Sequence, residues 1–206
     1  MNSSPAWLVA ARRGRPPWRR SVDDDSRLRT AVEDVLPLAA EHAAESDREG
    51  RLAPTVVKAV VQAGFARHFV PVEWGGHAGT FTDFTRAVTR LGIGCGAASW
   101  FASLAASLGR MAGYLPGAGQ RRLWEAGGPD TLIVGSLMPA GVAERQADGW
   151  TLRGEWPFVS AVEMSDWALV CARAGSENRV FAVPRADYSV QRAWTSLGMR
   201  RPRATR

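Results

Sequence analysis

Leu152-Arg-Gly-Glu-Trp-Pro-Phe-Val-Ser160, continuing to Ser165-Asp166-Trp167, is the stretch that decides how this 206-residue chain is read. Trp150 to Trp156 has the composition of a strand, and Asp148-Gly149 before it is a turn signal. Phe158 and Ser160 stand two apart, so on a continuing strand their side chains share one face. Taken alone, the pair reads as an inward aromatic and a turn-capping serine.

Working outward, strand texture continues on both sides. Trp167 to Ala172 and Val180 to Val183 form a hairpin across Gly175-Ser176-Glu177-Asn178, and Thr131 to Leu137 is a further strand. Upstream of Gly127-Gly128-Pro129 the apolar period changes to that of helices. Folding is expected to start near Asp23-Asp24-Asp25, whose charges suit a helix N-terminus. Leu28, Val32, Val35 and Leu36 form the first stripe, and Pro37 is expected to bend it. Pro54 opens a second helix, closed by Gly64. A third runs from about Thr82 to Leu91. The fourth, roughly 95–113, mixes small residues (Ala97, Ala98, Ser99, Ala102, Ser103) with Trp100, Phe101, Leu104, Leu108 and Met111. Small residues allow close approach of a backbone or of a flat ligand, but on composition alone a tightly packed central helix is the better explanation. A fifth helix spans Gly117 to Trp124. A helical block followed by a strand block predicts an α+β fold: a basic, disordered arm over 1–21, an N-terminal α-helical domain over 22–130, and a partial, incomplete antiparallel β-domain over 131–206.

Charge and composition narrow the function classes. The net charge of +6 is misleading until it is located. Five Arg fall in the first 20 residues and four in the last seven, which leaves 17 basic against 20 acidic residues between them. Basicity confined to the ends is not the surface stripe of a nucleic-acid binder. No apolar run approaches the ~20 residues of a membrane span, and the opening lacks the order of a secretion signal, so the expected location is the cytoplasm. Cys95 and Cys171 lie far apart, and His42, His68 and His77 have no ligand spacing. Neither a zinc site nor a disulfide is expected.

The motifs carry a family resemblance. Phe69-Val-Pro-Val-Glu-Trp-Gly-Gly76 resembles the Pro-x-x-x-Gly-Gly turn after the second helix of acyl-CoA dehydrogenases. The 152–160 stretch resembles that superfamily's flavin strand, in the Gly-x-Trp-Pro-Phe-x-Ser form found in its two-component flavin monooxygenases. Ser196-Leu-Gly-Met-Arg200 resembles the opening of the next strand. The resemblance covers about residues 22–200. It implies FAD or FMN as cofactor, with Phe158 as a wall against the flavin and Ser160 as a hydrogen-bond partner near N5; that face of the β-domain is expected to look toward the helical block. An isoalloxazine ring needs such a wall and a few aimed donors.

Val134-Gly-Ser-Leu-Met-Pro-Ala-Gly141 aligns with the superfamily's flavin loop, usually Thr-Glu-Pro-x-Ala-Gly-Ser-Asp in dehydrogenases. Pro139 and Gly141 match, but Leu137, Met138 and Val142-Ala143 replace the polar positions. These departures resemble the hydroxylase branch. Leu137 and Ser136 are therefore counted with Phe158 and Ser160 as cofactor-binding candidates, although a strand serine is often merely structural. Trp100 sits where that branch has Ala-Trp, near the substrate side. Several members carry a His two turns on, where this chain has Ser107 and Leu108, which weakens the case for intact hydroxylation chemistry.

The resemblance implies a monooxygenase. Reduced flavin from a partner reductase would react with oxygen, and an aromatic or polyketide-like substrate would be hydroxylated. Full-length relatives are homo-oligomers. An acyl-CoA dehydrogenase is the second reading, with its base expected in a C-terminal helical bundle beyond these 206 residues; a non-catalytic remnant is the third. Arg201-Pro-Arg-Ala-Thr-Arg206 does not resemble the usual Gly-rich continuation. Read one nucleotide later, codons for Arg-Pro-Arg can encode Gly-Pro-Gly. A frameshift or premature stop is expected, with a natural short form as the alternative. The strands should then leave an apolar edge flanked by Val180, Phe181, Val183, Tyr188 and Trp194.

Overall fold

The structure is a computed structural model that describes residues 27–147 and 149–191, and the backbone course of 203–205. The arm at 1–21, the helix start at Asp23, the Asp148 turn position, Trp194 and the 196–200 motif lie outside the described residues.

Among the described residues six α-helices come first. The first stripe becomes α1 (Arg27–Glu41), which carries Pro37 within it, and buries Leu28, Val32, Val35 and Ala39. A short α2 (Ala43–Glu49) follows and ends at Gly50 in the left-handed conformation. Pro54 does open α3 (Pro54–Gln62), and its Val56, Val57 and Val60 enter the same core. α4 (Phe81–Gly94) is capped by Thr80, whose hydroxyl oxygen accepts from the Asp83 amide, which satisfies an otherwise orphaned donor. α5 (Gly96–Ala112) buries its small residues Ala98, Ala102, Ala105 and Ala106. α6 (Gly117–Gly127) closes the block.

The Gly-Gly turn needs both glycines. Gly75 is left-handed at φ 80°, and a Cβ on Gly76 would lie 2.1 Å from the Val70 carbonyl oxygen. Only glycine meets both conditions. The turn holds Trp74 beside α6, where its indole N–H donates to Gln120 at 3.0 Å.

The strands are β1 (Ile133–Gln146), β2 (Gly149–Trp156), β3 (Trp167–Ala174), β4 (Glu177–Pro184), β5 (Ser189–Gln191) and β6 (Arg203–Thr205). Their order in the sheet is β4-β3-β1-β2-β6-β5. The β-domain is mixed, which corrects the expectation of an antiparallel one: β1 pairs with β3 in parallel, while β1–β2 and β3–β4 are antiparallel. The cause is the connection. Residues 157–166 carry the chain from the end of β2 back across β1, so β3 starts beside Ile133 and runs with β1. Asp166 fixes that return, because its carboxylate accepts from the Leu132 amide at 2.8 Å.

The two faces of the sheet differ. Ile133 and Leu169 point into a core shared with Leu108, Leu123 and Trp124 of the helices. Val134, Ala168 and Val170 point the other way and pack with Val159 and Val162. On that outer face the rings of Trp150 and Phe181 meet edge-on at 5.5 Å. They belong to β2 and β4, which in a flat sheet would stand ~14 Å apart. The sheet therefore curls, and its concave side holds a cavity of about 430 Å³ lined by Trp156, Val170, Val183 and Tyr188 among others.

Candidate functional site

The candidate residues fall in two segments and one helix. β1 supplies Ser136 and Leu137. Its register with β3 shifts between Ser136, opposite Val170, and Pro139, opposite Cys171. Two residues of β1 therefore have no counterpart on β3, and this bulge turns Leu137 (47% exposed) and Met138 (67%) outward. Pro139 accounts for part of it, since proline has no amide to give to the ladder. Bulges re-aim side chains next to functional sites.

The second segment overturns the strand placement of Phe158 and Ser160. β2 ends at Trp156, and residues 157–161 form a turn. Pro157 cannot donate to a ladder, and the backbone is left-handed at Phe158 (φ 63°) and again at Ala161 (φ 60°). Strand alternation thus does not govern which way the two side chains point. Instead Val159 and Val162 anchor the turn, both essentially inaccessible. Non-glycine residues held left-handed cost free energy and cluster at functional sites. Phe158 remains 51% exposed.

Packing places the segments side by side. Val134, two residues before Ser136, shares a buried cluster with Val159, between Phe158 and Ser160. Trp100 closes the group from α5: its indole N–H donates to the Ser160 hydroxyl at 3.4 Å. At 47% exposure Trp100 is also a surface ring. The structure thus brings Trp100 and Ser160 into contact, and sets the 134–138 and 158–160 segments next to one another at the junction of helices and sheet. Met138 was noted as a departure from the loop pattern but not counted among the candidates, and the left-handed Ala161 was not singled out from the sequence. The signal for Met138 was the run of apolar residues where the dehydrogenase loop is polar; nothing local marks Ala161.

The rest of the Ser165-Asp166-Trp167 motif is structural. The Ser165 hydroxyl donates to the Val162 carbonyl, so the Tyr188 hydroxyl must donate to Ser165 at 2.6 Å. Burial pushes the Tyr188 phenol above its ordinary value, partly offset by that hydrogen bond. Among the described residues no three His, Cys, Asp or Glu side chains gather as a metal site would require. No described helix is long and apolar enough to cross a membrane.

What remains is a junction with ring-sized apolar side chains and two hydroxyl groups. That donor set suits a flat, largely apolar heteroaromatic group, so the residues present fit a flavin.

Comparisons with known proteins agree on the class. Residues 23–120 match the family model of the acyl-CoA dehydrogenase N-terminal domain, and the helices and curled sheet together share the fold of a solved 3-HSA hydroxylase from Rhodococcus, with a TM-score of 0.81 at 25% identity over 89% of this chain and 49% of that one. Residues 23–120 thus carry the acyl-CoA dehydrogenase N-terminal domain, and the chain as a whole is similar to proteins that serve as oxygenase components of flavin-dependent monooxygenases. It is 26% identical over 171 residues to the flavin-dependent monooxygenase oxygenase subunit HsaA of Rhodococcus jostii, covering 81% of this chain and 44% of that protein. It is also 26% identical over 179 residues to the oxygenase component of an FADH2-dependent resorcinol hydroxylase of Rhizobium, covering 84% and 44%. The solved structure of XiaF from Streptomyces, a complex with FADH2 and glycerol, superposes with a TM-score of 0.81 at 25% identity, covering 89% of this chain and 49% of XiaF. The chain spans a little under half the length of the curated relatives it matches.

Proposed function

We propose that this chain forms the N-terminal helical and flavin-facing part of the oxygenase component of a two-component monooxygenase. It takes FAD or FMN reduced by a separate flavin reductase and acts in the cytoplasm on an aromatic or polyketide-like substrate. Bound reduced flavin supplies the electrons that activate oxygen for hydroxylation. The residues here bind and orient. Phe158 offers the ring a flat apolar wall, and the Ser160 hydroxyl donates to the ring edge. Ser136 adds a second hydroxyl beside the bulge, Leu137 extends the apolar surface, and Trp100 lines the substrate side. The observation that carries the reading is the group at the junction: Trp100 on Ser160, Phe158 on the same turn and Leu137 on the adjoining segment all stay half exposed in a chain that superposes on a flavin-bound relative. The exposed apolar pair Leu137-Met138, in place of the dehydrogenases' polar Thr-Glu, favours hydroxylation over acyl-CoA dehydrogenation.

Half-exposed side chains give a ring contact on one side only, so affinity is expected to be low. Anaerobic titration of this chain with reduced FAD and FMN, followed by fluorescence, tests the proposal. Saturable binding that Phe158→Ala abolishes is the expected result, with the cofactor lost on dialysis. Folded protein that binds neither flavin at millimolar concentration would sink the reading.

A further inference from the structure

A serine hydroxyl has one proton and two lone pairs. At Ser160 the Trp100 indole N–H takes a lone pair of the oxygen. The Ser160 proton must then be directed elsewhere, and among the described residues no hydrogen-bond acceptor takes it. The turn that carries Ser160 is held firmly. Its two left-handed residues, Phe158 and Ala161, flank Val159 and Ser160, and Val159 and Val162 are locked in the core beneath. Trp100 is equally well placed, because Ala98, Phe101 and Ala102 around it on α5 are buried. An indole serving only as apolar cover would bury its ring. This one leaves nearly half its surface open and turns its single polar atom to Ser160.

We propose that Trp100 is a positioning residue for Ser160: its indole N–H orients the Ser160 hydroxyl so that the proton is presented to an acceptor on the edge of a bound heteroaromatic ring. The assignment rests on the flavin reading above and gives Trp100 a task beyond lining the substrate side. It works through Ser160 and supplies no atom to the reaction. At 3.4 Å the bond is long for N–H···O, so its influence is a bias on hydroxyl direction, not a rigid lock.

Two measurements test this. The first needs no cofactor. In a proton–nitrogen correlation spectrum the Trp100 indole signal is the one lost in Trp100→Phe. Ser160→Ala should shift that signal more than any other indole, and Ser160→Thr, which keeps the hydroxyl, should leave it near its original place. An indole signal indifferent to Ser160→Ala overturns the proposal. The second is a double-mutant cycle on reduced-flavin affinity. Trp100→Phe, which keeps an apolar ring and removes the donor, should weaken binding about three- to tenfold, and should have no effect when Ser160 is already alanine. An equal loss in both backgrounds means that Trp100 contacts the ring or merely packs, and overturns the positioning role. Absence of flavin binding in the unmodified chain would instead bring down the proposed function, while the indole shift still reports on the Trp100–Ser160 bond.

Discussion

The helical block and the sheet bury their apolar residues in different ways. The helices close largely on themselves: α1, α3, α4 and α5 place Val32, Val56, Val60, Leu91 and Ala98 around one core, to which the β-domain adds only the partly buried Leu132, Ala161 and Met164. The sheet has one face sealed against α5 and α6 through Leu169 and Ile133, and another that curls around a cavity beside Val183 and Tyr188. Its outermost described strand on one side, β4, leaves Val180 39% exposed. The candidate site lies along the seam between the two regions. The more closely packed partner thus holds Trp100, and the more open partner carries Ser160 and Leu137.

The contrast makes its largest prediction at the sealed face. Leu169→Ala removes a fully buried side chain from the seam and should cost about 3 kcal/mol. Val183→Ala, on the same sheet but at the cavity, should cost about 1 kcal/mol or less, because its surroundings are already open. Urea unfolding of both variants checks the pair. Equal losses would show that the outer face is as tightly packed as the seam.

The next effect sharpens how the regions are joined. Arg67, just after α3, forms a two-pronged ion pair with Asp130, just before β1. The Asp130 hydrogen bonds hold the guanidinium above its ordinary pKa, with burial opposing. Both side chains are about one-third exposed, so Arg67→Ala should cost only about 1–2 kcal/mol. The cooperativity of melting is the informative readout. If helices and sheet melt together in the parent and separately in the variant, the pair couples the regions; unchanged cooperativity would assign the coupling to the apolar seam.

Ala161 allows a change in the opposite direction. A left-handed alanine is strained by roughly 1–2 kcal/mol, and glycine relieves this at the expense of a more flexible unfolded chain. Ala161→Gly should therefore raise stability by under ~1 kcal/mol while loosening the turn that holds Ser160. Calorimetry with flavin titration checks both halves. A variant that is less stable, or that binds flavin better, would remove strain at this turn from the account of the site.

Much of the helical block could be read because punctuation and period agree there. Pro54 and the stripe of Val56, Val57 and Val60 mark α3, and the Gly75-Gly76 turn follows from steric demands on single residues. α2 escaped because AAESDRE has no apolar stripe; its one buried side chain is Ser46. The sheet was legible as a set of strands but not in its pairing. Which strand lies beside Ile133 depends on the path of residues 157–166, a long-range property that alternation does not encode. The candidate site shows the same division. Its residue types pointed to a ring-binding surface, yet the left-handed turn at Phe158 and the bulge that exposes Leu137 are outcomes of tertiary packing. Trp100 could be named from its place on α5, but its hydrogen bond to Ser160 could not.

The smallest expected effect lies wholly inside the helical block, and it asks whether that block owes anything to charge. Both nitrogens that Arg90 of α4 offers Glu33 of α1 lie 2.8 Å from the carboxylate oxygens. These hydrogen bonds lower the Glu33 pKa below its ordinary 4.5, with burial acting against them and the Arg90 charge adding to them. A carboxylate with a depressed folded pKa contributes stability above its unfolded pKa, and that contribution is lost as pH falls through the folded value. The stability difference between the parent chain and Arg90→Gln should hence be constant from neutral pH down to about pH 5 and shrink below it. Both side chains are exposed, so the pair is screened, and 1 M salt should also reduce the difference. Denaturation midpoints of the two proteins across pH 3–7, at low and high salt, provide the check. A difference that ignores both pH and salt would reflect only the aliphatic packing of the Arg90 stem, and would leave the helical block held by apolar contact alone.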